Sequence, residues 1–404
     1  MKPLSGFPIY VGNVELTENV LLSLQADLRS VCAEAKKKFP LVKEAAEKAI
    51  LQLRSLSDSP QTNYQAVIYQ LVVADLTEVP AALILACQTN NPNLIKISLA
   101  CLNKLISFNA ISKEGISTTV DLLFTLLDSH LELIRVCQIV NTLLTGSYLV
   151  KGKILAGLCS VCFKLYMSND VVISNTAAAS LRQFLTISLE RADKEIADSE
   201  FVNSNEFPLS SYCSDILLFL KDLCHIIRGE ELQFVEHAPV ISAHFSLELI
   251  ETALASYEVH ILKQTPSFEH FIKTSVCPMI INDLFHPSES TNANSNGKIT
   301  FPLFVRLLRI MKVLMENFFD ILPTECEVFF TILVKYLDED QPVSFTHVTV
   351  IVYKTCASGV HSESFSLQLG NYKGGPTRLS LGTVTMWMFA VVDSSILLLF
   401  LCIF

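Results

Sequence analysis

From Thr17 onward the chain alternates apolar and polar positions at helical spacing. Leu21, Leu24, Leu28, Val31, Ala35 and Phe39 recur three and four apart, with Asp27, Arg29, Glu34 and Lys36 between them. That period gathers the apolar set on one helix face and leaves the charges towards water. Pro40 has no N–H to lose in a first turn, so it can open a second helix, which the pattern carries to about Leu56. Residues 1–17 contain Pro3, Gly6, Pro8 and Gly12 and read as irregular.

The same signature repeats along the chain. It predicts helices near 63–87, 93–108, 113–128, 131–145, 151–167 and 175–192, broken at Asn91-Pro92-Asn93 and at Asp128-Ser129-His130. In the last of these, Asn175 or Thr176 is the expected cap, and Ala178, Leu181, Leu185 and Leu189 form one face. Residues 192–210 are polar and read as a linker. A second series follows near 211–228, 240–256, 267–285, 301–319 and 323–338, interrupted by the polar run 286–298. In 301–319, Phe304, Leu307, Leu308, Met311, Leu314, Met315 and Phe318 make a stripe broad enough for burial on two sides.

A single helix cannot bury such a stripe alone. Antiparallel pairs stacked in a row can, so the expected class is all-α, an armadillo/HEAT-like α-solenoid of antiparallel helix pairs with degenerate repeats. The expected organisation is an irregular start (1–17), a first helical domain (18–192), a linker (193–210), a second helical domain (211–342) and a divergent tail (343–404).

Composition narrows the picture. Half of the residues are hydrophobic and mean hydropathy is +0.43, so many positions must be covered. Glycine numbers only 13, too few for a turn-rich sheet protein. The net charge of −10 argues against nucleic acid as a partner, because like charges repel. The 12 cysteines sit mostly inside apolar helical stretches, as Cys101 and Cys137 do. Without a sequon or an apolar leader they read as small hydrophobes of a reduced, cytosolic protein.

Candidate chemistry is sparse. Cys159 and Cys162 form the lone C-x-x-C, but no second ligand pair is near and no βαβ context surrounds them, so they read as core. Gly146 to Lys153 resembles a P-loop with its glycines too far apart and Ile154 where Ser/Thr should hold Mg²⁺. The histidines, among them His225, His237, His244, His260 and His270, show no metal-ligand spacing. No catalytic, cofactor-binding or metal residues are therefore assigned, and the chain reads as a non-enzyme. The densest basic run is Lys36-Lys37-Lys38. It is either a solvated helix end or a contact for an acidic partner or anionic membrane, where each lysine contributes ~1 kcal/mol.

After Pro342 the composition changes. HVTVIVYKT is strand-like, and the last stretch, TMWMFAVVDSSILLLFLCIF, is apolar but cut by Asp393, Ser394 and Ser395. A tail anchor, a buried segment and an isoform-specific or mis-joined end all remain open.

Four blocks carry a resemblance. ADLRSVCAEAKKKFPLVKEAAEKAI (26–50) and NTAAASLRQFLTISLERAD (175–193) resemble the dimerisation and cyclophilin-binding (DCB) region of the Mon-two family, relatives of the large Arf guanine-nucleotide exchange factors. FSLELIETALASYEVHILKQTPSFEHFIKTSVCPMII (245–281) and LLRIMKVLMENFFDILPTECEVFFTILVKYLDEDQP (307–342) resemble the homology-upstream (HUS) region. The resemblance implies a peripheral Golgi and endosome scaffold working with Arf-like GTPases, Dopey-family proteins and a phospholipid flippase, with self-association through the first block. The Sec-seven catalytic domain is absent here and in that family. In the family the helical array continues past the point matching Pro342, so a truncated or isoform product is expected. The rival expectations are a regulator of nucleotide exchange on an Arf-like GTPase and a tail-anchored membrane protein.

Overall fold

The computed structural model describes residues 14–36, 38–57, 78–199, 211–235, 238–239, 241–256, 259–285 and 299–338. Among them the chain is all-α, without a β-strand. The segment 58–77, the polar run 286–298 and the tail 343–404, on which several expectations fell, lie outside the described residues. Two compact units emerge: Met1–Ile226 with Glu230–Ile241, and Ile227–Gly229 with Ser242–Phe404.

In the first unit, α1 (Val14–Ala35), α2 (Pro40–Ser57), α3 (Glu78–Cys87), α4 (Pro92–Ser107), α5 (Lys113–Asp128), α6 (Leu133–Gly146), α7 (Lys153–Tyr166) and α8 (Val171–Ser199) form two layers. One row is α1, α4, α6, α8; the other is α2, α3, α5, α7. Neighbours pack within each row, and α1–α2, α3–α4, α5–α6 and α7–α8 pack across the rows. This is the expected solenoid of helix pairs. The predicted stripes are buried: Leu24, Leu28, Val31 and Ala35 of α1 are 0% exposed, and so are Leu181, Leu185 and Leu189 of α8. Helix α9 (Ser211–Arg228) joins the same core, with Phe219 stacked on Phe163 at 6.0 Å and edge-on to Phe184 at 5.7 Å. By its contacts, most of α9 groups with the first unit.

Two local readings need correction. The first turn of α8 is capped not by Asn175 or Thr176 but by Asp170, whose Oδ1 accepts Val172 N–H at 2.8 Å. Val171 and Val172 interrupt the apolar period because they are exposed, so the period hid the true start. At its other end α8 runs to Ser199, into the stretch read as linker. Asp193-Lys-Glu-Ile-Ala is polar, but Lys, Glu and Ala are good helix formers, and polarity alone does not end a helix.

In the second unit, α10 (Ala243–Leu254), α11 (Val259–Gln264), α12 (Pro266–Phe271), α13 (Cys277–Phe285), α14 (Phe301–Asn317) and α15 (Pro323–Asp338) pack chiefly as α10 on α14 and α13 on α14 and α15. The stripe of α14 is buried throughout. The expected single helix 267–285 contains a π-turn, Ile272–Val276, in which Cys277 N–H reaches back to Ile272 O. Pro278 supplies the reason. Its ring would clash with a carbonyl one turn back, and a widened turn relieves that clash.

Candidate functional site

The first unit's helix directions follow from three contacts. Asn93, at the start of α4, donates to Glu34, near the end of α1, at 3.3 Å. Lys104, near the end of α4, donates to Asp27 of α1 at 2.6 Å and to Ser23 at 2.9 Å. The two helices are therefore antiparallel, and the α1–α2 turn lies beside the α3–α4 turn. Lys164, near the end of α7, pairs with Asp128, at the end of α5, at 3.6 Å, which sets the α5–α6 and α7–α8 turns together. With hairpins alternating, all four turns fall on one edge of the stack.

This edge has an unusual backbone. Lys36, Asn90, His130 and Glu132 take φ values of 33°, 56°, 55° and 51°. A left-handed conformation costs a residue with a Cβ roughly 1–2 kcal/mol, and asparagine suffers least. Helices that end in glycine avoid this; here α5 ends on His130 and Leu131, whose N–H groups bond to Leu127 O and Leu126 O. Asn91 then caps α4, its Oδ1 accepting Asn93 N–H at 3.0 Å and Leu94 N–H at 3.3 Å. The turns are thus held short and tight by side chains and carbonyls.

Lys36 and Lys38 are exposed in the α1–α2 turn, immediately after the last helical residue, Ala35. Lys37 lies outside the described residues. At the α5–α6 and α7–α8 turns the edge is apolar and acidic instead: Ile134, Met167, Val171 and Val172 are exposed at 56, 52, 69 and 64%, beside exposed Asp128 and Asp170. The apolar part escaped the sequence reading, which singled out none of these four residues. The one available signal was that Val171 and Val172 fall out of the period that Ile173 begins.

The remaining candidates resolve into structural roles. Cys159 and Cys162 are buried in α7, and burial pushes both thiols well up from their ordinary value. A thiol held neutral is a poor ligand and nucleophile. No group of three metal-binding side chains occurs among the described residues. Gly152 starts α7, with its N–H donated to Asp215 at 2.7 Å, so the glycine-bounded loop is tied by a carboxylate. His225 sits 3.8 Å from both Asp222 and Glu230, while Asp222 accepts the N–H groups of Gln233, Phe234 and Val235. His237 lies outside the described residues. Missed by the sequence reading was Arg191, which donates to Thr145 O and Ser147 O and covers the Tyr148 ring at 4.5 Å. No helix among the described residues is long and apolar enough to cross a membrane.

Among the described residues, the turns of the first unit present lysines at one end and exposed apolar and acidic side chains at the other. Residues 15–196 match the family model described as Mon2/Sec7/BIG1-like, dimerisation and cyclophilin-binding domain. Residues 212–356 match the Mon2/Sec7/BIG1-like HUS domain. The chain belongs to the Mon2/Sec7/BIG1-like family. The second match continues beyond Pro342, where the resemblance read from the sequence had stopped. The chain is 30% identical over 372 residues to the Mon2 homolog of Homo sapiens, covering 87% of this chain and 21% of that protein. It is 30% identical over 373 residues to the Xenopus laevis homolog (87% and 21%) and 29% over 342 residues to that of Drosophila melanogaster (79% and 20%). The chain thus spans about a fifth of the length of these relatives.

Proposed function

We propose that this chain is a non-enzymatic scaffold and regulator of endosome-to-Golgi vesicle traffic that acts through protein–protein contacts. The observation that carries the reading is the edge of aligned turns. It is held rigidly by two packed rows, yet presents lysines at one end and exposed Ile134, Met167, Val171 and Val172 at the other. Scaffolds need surfaces of this kind, fixed in shape and mixed in chemistry. The partners implied by the family are an Arf-like GTPase, a Dopey-family protein and a flippase, with the chain peripheral on Golgi and endosome membranes and able to form a homodimer. Lys36, Lys37 and Lys38 are the proposed contact with an acidic partner or anionic lipid. Three lysines assist recruitment without sufficing for it.

The test is a pair of assays on the purified full chain. Binding to an Arf-like GTPase is expected to fall when Val171 and Val172 are both changed to Asp, while nucleotide release by that GTPase stays at its spontaneous rate. Stimulated release at substoichiometric amounts of the chain would replace the scaffold reading with that of an exchange regulator.

A further inference from the structure

Helix α2 buries Val42, Ala46, Ala49 and Leu53 and turns its opposite face to water. On that face stand Leu41 at 70% exposure and Leu51 at 63%. Between them lie Glu44 and Lys48, joined at 3.1 Å with side chains 63% and 60% exposed. Exposed leucines taken singly are ordinary, so it is their order with the charges between them that points to a partner.

The order of these residues supplies one. Leu41, Glu44, Lys48 and Leu51 are spaced three, four and three. These steps keep all four in one stripe of the helix. The spacing reads the same from either end, but the charges reverse. Turn the helix end for end and lay it on itself. Leu41 then meets Leu51, and Glu44 meets Lys48, twice over. Beside the stripe, Lys43 and Glu47 pair with each other along the helix at 3.6 Å and lie outside the two-fold register. A surface complementary to its own two-fold image is what an isologous dimer requires.

We propose that the exposed face of α2 is the surface on which two copies of this chain associate, antiparallel, with Leu41 against Leu51 and Glu44 against Lys48 of the second copy. The proposal rests on the homodimer reading given above and assigns it a surface. The contact spans about 15 Å of helix, at ~1.5 Å per residue. Such a contact falls short of the ~1,200 Å² of a stable interface, so the dimer dissociates on dilution.

Sedimentation equilibrium of the full chain tests this. Wild type should dimerise reversibly. Glu44→Lys places like charges opposite each other twice, and so does Lys48→Glu; each should weaken self-association by about tenfold. Mixing the two variants restores both attractions, so the mixture should form heterodimers at wild-type strength. A single chain carrying both changes keeps every pair and should dimerise like wild type. Should either single variant misfold, Leu51→Lys at its exposed position must weaken association equally. A wild-type dimer that none of these changes weakens overturns this surface and leaves the homodimer reading standing. A wild type that stays monomeric up to ~100 μM, far above the range in which specific complexes form, sinks both.

Discussion

The two units solve the same burial problem differently. The first repeats one device, a hairpin crossing two rows, and its rows meet through aliphatic and small side chains. The buried hydroxyls of Thr119 and Ser180 bond to their own helices at 2.7 and 3.0 Å and ask nothing of a neighbour. The second has no repeating hairpin. Its principal contact, α10 on α14, is clamped by Arg306, which donates to Glu251 at 2.5 Å and Glu248 at 3.4 Å, all three side chains no more than 20% exposed. Arg309 adds a contact to Glu251 at 3.3 Å. The first unit also carries polar contacts between its helices, such as Lys104 to Asp27 at 2.6 Å, but these are partly exposed, whereas the Arg306 cluster is largely buried. Reading the clamp as a device for register extends from cases where buried polar groups specify alignment.

The largest expected way to break the comparison is alkaline pH. Burial raises the thiols of Cys87 to about 12 and Cys137 to about 11, and those of Cys101, Cys159 and Cys162 well up too, all in the first unit. In the second, burial raises Cys326 to about 12 and Cys277 further. Well below pH 8 these thiols are neutral, folded or not. Above it the unfolded chain releases protons that the folded chain keeps, so stability falls as pH rises from about 9 towards 12, by ~1 kcal/mol per thiol and pH unit. Hydrogen exchange at stepped pH should show the first unit opening before the second; the reverse order would remove cysteine burial as the distinction.

Next in size is Phe219→Ala. Phe219 is 0% exposed and contacts two further rings, so the change should cost the first unit about 4 kcal/mol in urea unfolding and leave α10–α14 protection intact. Arg306→Ala should cost the second unit about 3 kcal/mol, because Glu248 and Glu251 each lose a contact in a half-dry site and only the more exposed Arg309 remains on Glu251. If Arg306→Met recovers most of that loss, as apolar replacement of the whole cluster would, the clamp serves packing and not register. Smallest is Asn91→Ala, which removes a cap on two N–H groups and should cost about 1 kcal/mol, read as a shift in the urea midpoint.

Much of this was legible in advance because it depends on local order. Ser211–Arg228 and Pro323–Asp338 begin and end where the pattern predicted, and the seven apolar residues assigned to the 301–319 stripe are all buried. What failed did so for definable reasons. The period could not see that Asp170 caps α8, because two exposed valines precede Ile173. It could not see the π-turn, because the strain at Pro278 is relieved in the backbone and leaves the side-chain pattern unchanged. The Lys36 and Lys38 turn was found as a charge run, but its place on a common edge was not, and neither were the exposed apolar residues at the far end of that edge.

The sequence by itself determined the helices, their buried faces and the family, since a 3.6-residue period and short runs of identity are properties of neighbours along a chain. Only the tertiary structure decided that four turns share an edge, that Arg306 lies between two glutamates and that Leu41 and Leu51 face water. Each of these depends on residues far apart in the chain, or on what fails to cover a helix, and no local pattern encodes either.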